Sequence, residues 1–218
     1  MRRAALLLIG LCAAWTALAQ GTSSDSATFV PEVAREAAAE GNRAFLEGDY
    51  ETARKAYRRV LDLAPGNLVG LVNLGAVEFR AGNHEEAEKL LLEAVNKKLD
   101  NAPAWLTLGI LYYENRRLDE AHAALAQAVL YDKANPRAHN YLGAVFGAKD
   151  WLDGAAAELR RAVQIDPAYR DAHYNLAVIY LQQRPPAVEL ARRHYYRSIE
   201  LGGQPDPEIE KKLNTPKP

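Results

Sequence analysis

Small residues recur along this chain at one fixed interval. Gly41, Gly75, Gly109, Gly143 and Ala177 are evenly spaced along it. Ala53, Ala87, Ala121 and Ala155 follow the first four of them by 12 and keep the interval. Val60, Ala94, Ala128 and Ala162 form a third series, seven further on. Three such series in phase mark an internal repeat, in which each unit buries its apolar face against its neighbours. One period reads as two helices and a short turn. The small residue at the eighth position of the first helix is expected to face the small residue at the twentieth. That lets the two axes approach the short end of the usual ~8–10 Å spacing. Larger side chains fill the space around them: Tyr50 and Tyr57, then Leu71, Leu74 and Leu91, then Trp105, Leu108, Tyr112 and Leu125.

The punctuation agrees with the period. Gly48-Asp49 and Gly82-Asn83 separate the helices of the first two units, and Asn83 followed by Glu86 predicts a capping box. Pro65 and Pro167 stop second helices, while Pro103 and Pro136 sit near the start of first helices, where proline is tolerated. Five units follow, at 34–67, 68–101, 102–135, 136–169 and 170–205. The fifth departs from phase. Its turn holds Arg184-Pro185-Pro186, and its small residue is Ala191, two positions late, so a two-residue insertion in the turn is expected. Residues 206–218 read as a short capping helix and tail, opened by Asp206-Pro207, with Ile209 and Leu213 placed to dock on the last unit.

These positions carry a resemblance to the tetratricopeptide-repeat (TPR) family. Gly41, Tyr50, Ala53, Tyr57 and Pro65 match its pattern in one unit, and Trp105, Leu108, Gly109, Tyr112, Ala121 and Ala128 match it in another. The resemblance implies an all-α, right-handed solenoid of five helix-turn-helix units whose first helices line a concave groove. It also implies which side chains face that groove. They are Asn42 and Phe45 in the first unit, Asn73, Phe79 and Arg80 in the second, and Thr107 and Tyr113 in the third. The fourth supplies Arg137, Asn140 and Tyr141, and the fifth Tyr174 and Asn175. Asparagine amides both donate and accept, so such a ladder suits a peptide backbone, with apolar neighbours as side-chain pockets. The other reading is that the asparagines only reflect the usual composition of the repeat. Some family members clamp a carboxylate with two asparagines and three basic residues. Asn42 and Asn73 match the asparagines, but Ala38, Pro103 and Thr107 stand where the bases would be, which argues against that ligand.

Composition changes the picture at one end. Arg2 and Arg3, the apolar run Ala4 to Ala14 and the Ala17-Leu18-Ala19 motif read as a secretory leader over residues 1–19, followed by a linker at 20–33. An uncleaved anchor is the weaker reading, because the apolar run is short for a membrane span. Cleavage would remove Cys12, the sole cysteine, and with it thiol chemistry and cysteine-ligated zinc. The chain would then be exported, to the periplasm or beyond. Elsewhere, 27 basic and 28 acidic residues are interspersed without a basic run, which argues against a nucleic-acid partner.

No catalytic constellation stands out. The glycines belong to the repeat, and the Glu85-Glu86 run reads as a solvated helix face. His139 and His173 occupy the same position in successive units; packing in place of a large residue is the plain reading, and a metal site the sharper one. Trp151 sits in a turn, either as an exposed anchor or folded back on the stack. The expected function is therefore non-enzymatic, without metal or cofactor: a scaffold or adaptor for a peptide or protein partner. The alternative is a glycan- or small-molecule-binding accessory subunit of an envelope assembly.

Overall fold

The computed structural model describes residues 30–214. The expected leader, most of the expected linker and residues 215–218 lie outside them. Among the described residues all regular structure is α-helical, as the repeat predicts. In chain order the helices are α1 (Glu32–Glu47), α2 (Tyr50–Leu63), α3 (Leu68–Arg80), α4 (His84–Lys97), α5 (Ala102–Glu114), α6 (Leu118–Tyr131), α7 (Pro136–Ala148), α8 (Leu152–Ile165), α9 (Arg170–Gln182), α10 (Val188–Glu200) and α11 (Pro207–Asn214). Two compact units divide at Arg117 and Leu118. In the first, α1 packs on α2, α2 on α3, α3 on α4, and α5 on both α3 and α4. In the second, α6 packs on α7, α7 on α8 and α9, α8 on α9, α9 on α10, and α10 on α11. No described helix is long and apolar enough to cross a membrane.

The helix ends repeat with the period. Asn67, Asn101 and Asn135, one period apart, each cap a first helix. Their side chains accept from the N–H groups of Gly70 (3.1 Å), Ala104 (3.1 Å), and Arg137 and Ala138 (3.1 and 3.3 Å). Such caps contribute roughly 1 kcal/mol each. Asp49 caps α2 through the Thr52 N–H (3.0 Å). The capping box expected at Asn83 does not form. Asn83 starts α4, but its side chain is turned to donate through Nδ2 to the buried Glu78 Oε2 (2.7 Å), and its Oδ1 accepts from no N–H of the helix.

The C-termini of α1, α3, α5 and α7 close the same way. A left-handed residue (Gly48, Gly82, Arg116, Asp150) donates to the carbonyl three back, and the next residue donates to the carbonyl five back. At Arg116 (φ 61°) and Asp150 (φ 63°) a side chain occupies the left-handed region that glycine takes in the first two turns.

Close packing explains the small-residue series. A Cβ at Gly41 would come within 2.8 Å of the Tyr57 ring, one at Gly75 within 2.8 Å of Leu91 Cγ, and one at Gly143 within 2.7 Å of Leu159 Cγ. The glycine thus meets the large residue four beyond the alanine on the second helix. The alanine backbone stands just behind, with Ala87 O at 3.5 Å and Ala155 O at 3.1 Å. The expected small-on-small contact is corrected accordingly: the glycine makes room for a ring or a leucine, and the alanine lets the backbones close.

A second series joins α2 to α3, α4 to α5 and α6 to α7, again at a constant separation. Arg54 Nε and Nη2 donate to Glu78 Oε1 and Oε2 (2.7 and 2.9 Å). The Tyr112 hydroxyl donates to Glu88 Oε1 (2.9 Å), and Arg117 adds a bidentate pair to the same carboxylate. In the second unit the equivalent pair is aromatic: His122 lies 5.2 Å from Phe146 and 5.6 Å from Trp151, ring centre to ring centre. Trp151 is folded against Phe146 and under the Lys149 ammonium, yet 48% of it stays exposed.

The turn between α9 and α10 runs over residues 183–187, two longer than the 149–151 turn before it, and contains a cis Arg184–Pro185 bond. Ala177 and Ala191 are nonetheless both fully buried. Asp206 caps α11 through the N–H groups of Glu208 and Ile209 (2.9 and 3.3 Å). That aims Ile209 and Leu213 into a core with Leu159, Leu176, Ile179 and Tyr195. Burying each aliphatic side chain is worth roughly 1.5–3 kcal/mol.

Candidate functional site

In the first unit the positions implied to face a groove are largely held by neighbours. Asn42 Oδ1 accepts from the Tyr57 hydroxyl (2.5 Å), and Phe45 rests 5.8 Å from the Tyr50 ring. Arg80 Nε reaches the same Tyr50 hydroxyl (3.4 Å). Phe79 is buried against His84, and Asn73 is buried on α3. Thr107 turns its hydroxyl onto the Pro103 carbonyl (2.9 Å), one turn back on α5. Tyr113 is buried, and burial raises its phenol above the usual range. Of these side chains, Asn42, Phe45 and Arg80 keep partial exposure.

In the second unit Arg137 and Tyr174 are partly exposed, and Tyr141 is buried. Asn140 departs from its expected role. It is 0% exposed, because α7 and α9 pack together and bring its Oδ1 onto the Asn175 amide (3.0 Å). The Asn140 Nδ2 finds no hydrogen-bond partner among the described residues. This asparagine therefore joins α7 to α9 and offers nothing to a bound backbone in this conformation.

His139 and His173 each turn to a side chain of the following helix. His139 pairs with Glu158 Oε2 through Nδ1 (2.7 Å) and with the Lys133 carbonyl through Nε2 (3.1 Å). His173 does the same with different partners: its Nδ1 meets His194 Nδ1 at 2.9 Å, and its Nε2 meets the Pro167 carbonyl at 3.2 Å. A hydrogen on Nε2 leaves the His173 Nδ1 lone pair to accept from the His194 ring. Burial, then the neighbouring His173 and Arg193, push His194 down to about 4; burial also lowers His173. Among the described residues no group of three or more potential ligands is placed to hold a metal ion. His194 carries no recognisable pattern in the sequence, so its pairing emerges only with the packing of α9 on α10.

One cleft stands out in the second unit. It encloses about 460 Å³ between α9 and the connection from α10 to α11, and two of the positions implied to face a groove, Tyr174 and Asn175, line it. Arg170, Asp171, Tyr174 and Asn175 fall on one face of α9 and form one wall. The opposite wall is the Gly202–Pro207 segment with Ser198. That wall is pinned in place. The Tyr174 hydroxyl donates to Asp206 Oδ2 (2.7 Å), and the Asp206 N–H donates to the Tyr195 hydroxyl (2.7 Å). Burial tends to raise the Asp206 carboxyl, but the Tyr174 hydroxyl and the two α11 N–H groups outweigh it and hold it below the usual range. The Asp206-Pro207 start of α11 reads from the sequence, but the path of the loop before it does not, since it depends on a phenol 32 residues away.

Comparisons with known proteins cover most of the chain. Profiles of the tetratricopeptide repeat match residues 4–67, 44–101 and 102–135, and a TPR repeat profile matches 152–183. No curated protein matches the sequence. Solved structures of similar fold include PilF of Pseudomonas aeruginosa, at 21% identity and TM-score 0.73, covering 80% of this chain and 78% of that one. A thermophilic TPR protein of Thermus thermophilus follows at 18% identity and TM-score 0.67, covering 83% and 96%. YrrB, a TPR protein with an unusual peptide-binding site, gives 22% identity and TM-score 0.59, covering 78% and 85%. With its helix pairs, its small-residue series and these profile matches, the chain belongs to the tetratricopeptide-repeat family.

Proposed function

We propose that this chain is an exported, non-enzymatic adaptor that holds a peptide or protein partner against the first helices of its repeats. A TPR fold supports a protein-interaction scaffold in general. The observation that carries the finer reading is that α9 presents Tyr174 and Asn175 to an open cleft of about 460 Å³. That volume lies within the roughly 300–1,000 Å³ typical of ligand sites. YrrB, similar in fold, is described as having a peptide-binding site, which agrees with this use of the architecture. The leader-like residues 1–19 support export to the periplasm or the medium.

The test uses the partly exposed positions, so that the fold survives. Phe45→Ser with Arg80→Glu alters the first unit, Arg137→Glu the second, and Gln204→Trp, at an exposed lining position, crowds the cleft itself. A partner captured from envelope extract should bind each variant at least tenfold more weakly, with unchanged helical circular dichroism. A specific partner held equally well by all of them would sink the reading. A thermal-shift screen in which a glycan, and no peptide, stabilises the chain would favour the accessory-subunit alternative. For export, the mature protein should begin at Gln20 in a periplasmic or secreted fraction; an intact N-terminus confined to the cytosol would refute it.

A further inference from the structure

We infer that the cleft between α9 and the α10–α11 connection takes a basic side chain, lysine or arginine, of a bound peptide. This rests on the peptide-binding reading and names the residue class that one site selects. The two hydroxyls that α9 and α10 place in the cleft have already spent their hydrogens, and the Asn175 amide has given one of its two. The Tyr174 hydroxyl donates to Asp206, the Ser198 hydroxyl to the Tyr195 carbonyl (2.7 Å), and the Asn175 Nδ2 to Asn140. What they have left to offer is chiefly acceptor oxygen. For Asn175, whose amide nitrogen is committed behind the wall, that means its Oδ1.

Charge points the same way. The lining holds one base, Arg170, and two acids, Asp171 and Asp206. Asp206 is fully engaged by Tyr174 and the first turn of α11. Asp171 is not: Arg170 Nε bonds its Oδ1 (2.9 Å), which leaves Oδ2 without a partner among the described residues. The C-terminal end of α10, through Ser198, Gly202 and Gly203, also borders the cleft and carries the negative end of its dipole, while the positive ends at the starts of α9 and α11 each already hold an acid, Asp171 and Asp206. Burial raises the Asp171 carboxyl despite Arg170, so a second cation beside it would restore what desolvation removes. A donor-rich cation satisfies these groups together. A carboxylate or phosphate would face the Asp171 carboxylate and the hydroxyl oxygens, with Arg170 already drawn onto Asp171.

The test is an NMR titration of the isotopically labelled full chain with the blocked tripeptide Ac-Ala-Arg-Ala-NH2 and its lysine counterpart. The controls replace arginine with citrulline, and lysine with acetyl-lysine, which keep shape and lose charge. Saturable shifts are expected at the amides of Asp171, Asn175, Gly202 and Gly203, with the neutral peptides binding at least tenfold more weakly. Asp171→Asn should keep the melting temperature and bind charged and neutral peptides alike. Neutral peptides that saturate the cleft as tightly as the charged ones would overturn the inference and leave the adaptor reading in place. So would an Asp171→Asn chain that still prefers the charged peptides. If no peptide moves these amides while the captured partner still binds, the cleft is not the site. Loss of partner binding in the capture experiment would instead bear on the adaptor reading.

Discussion

The ion pair between Arg54 and Glu78 should be the most costly single contact to break in the first unit. The Glu78 side chain is 2% exposed, and the Arg54 side chain 17%. Besides the two Arg54 bonds, the carboxylate has among the described residues only Asn83 Nδ2 at 2.7 Å and the more distant Arg58 at 3.7 Å. Arg54→Met keeps the stem and removes the charge, stranding a buried carboxylate. Breaking a buried pair typically costs about 3–5 kcal/mol, and the remaining Asn83 bond places this one near ~3 kcal/mol. For a chain of this size that corresponds to a fall in Tm of roughly 6–12 °C. Replacing both partners, Arg54→Met with Glu78→Met, should return the chain to within about 1 kcal/mol of the parent, since no buried charge is then left unmatched.

The pH dependence makes this prediction sharper. Burial pushes the Glu78 carboxyl up, but Arg54 and Asn83 outweigh it and hold it below the usual carboxylate range. A depressed folded-state value stabilises the parent at neutral pH, and that contribution is lost as pH falls through it. In Arg54→Met burial dominates, so the carboxyl rises above its unfolded value and protonation relieves the penalty. The gap between parent and variant should therefore narrow from pH 7 to about pH 4.5. Melting curves followed at 222 nm, at both pH values, would read it. A gap under about 1 kcal/mol at pH 7, or one that stays constant on acidification, would refute the reasoning.

Four further outcomes follow from the same packing. Gly143→Ala should cost about 1–3 kcal/mol in urea unfolding, because its Cβ would meet both Leu159 and the Ala155 carbonyl. Arg116→Gly should stabilise by about 0.5–1 kcal/mol, since the turn holds that residue at φ 61°, and a lower Tm would contradict the assignment of strain there. His194, held down to about 4 and not fully buried, favours the unfolded chain as pH drops from its unfolded value toward 4. The parent should thus lose on the order of 1 kcal/mol between pH 7 and 5 that His194→Gln does not lose, measured as the difference between their stability–pH curves. Leu213→Ala, at a side chain 2% exposed, should cost roughly 2–5 kcal/mol and speed hydrogen exchange in α11 and the facing part of α10.

The partners of buried polar groups are the least legible part of this chain. Arg54, Glu88 and His122 stand one period apart, as do Glu78, Tyr112 and Phe146. The register of contact is thus written in the sequence, but any of many nearby charges could be the partner. His194 is unreadable for the same reason. Asn140 reads as available from the sequence and is not, because the approach of α7 to α9 is a property of the stack. The cleft depends on Tyr174 drawing Asp206 across a loop with no periodic signal.

What the sequence determined by itself was the family, the all-helical class and the turns. Each depends on a position within one period, where a missing Cβ or a capping side chain acts on its own neighbourhood and recurs from unit to unit. What only the tertiary structure decided was which polar groups are spent and which remain. Hydrogen bonds and ion pairs form between residues that packing brings within about 3 Å, and that closeness is set by the sum of many contacts. It left Asn140 enclosed, His173 on His194, and the cleft beside α9 with its hydroxyl hydrogens used and one Asp171 oxygen without a partner among the described residues.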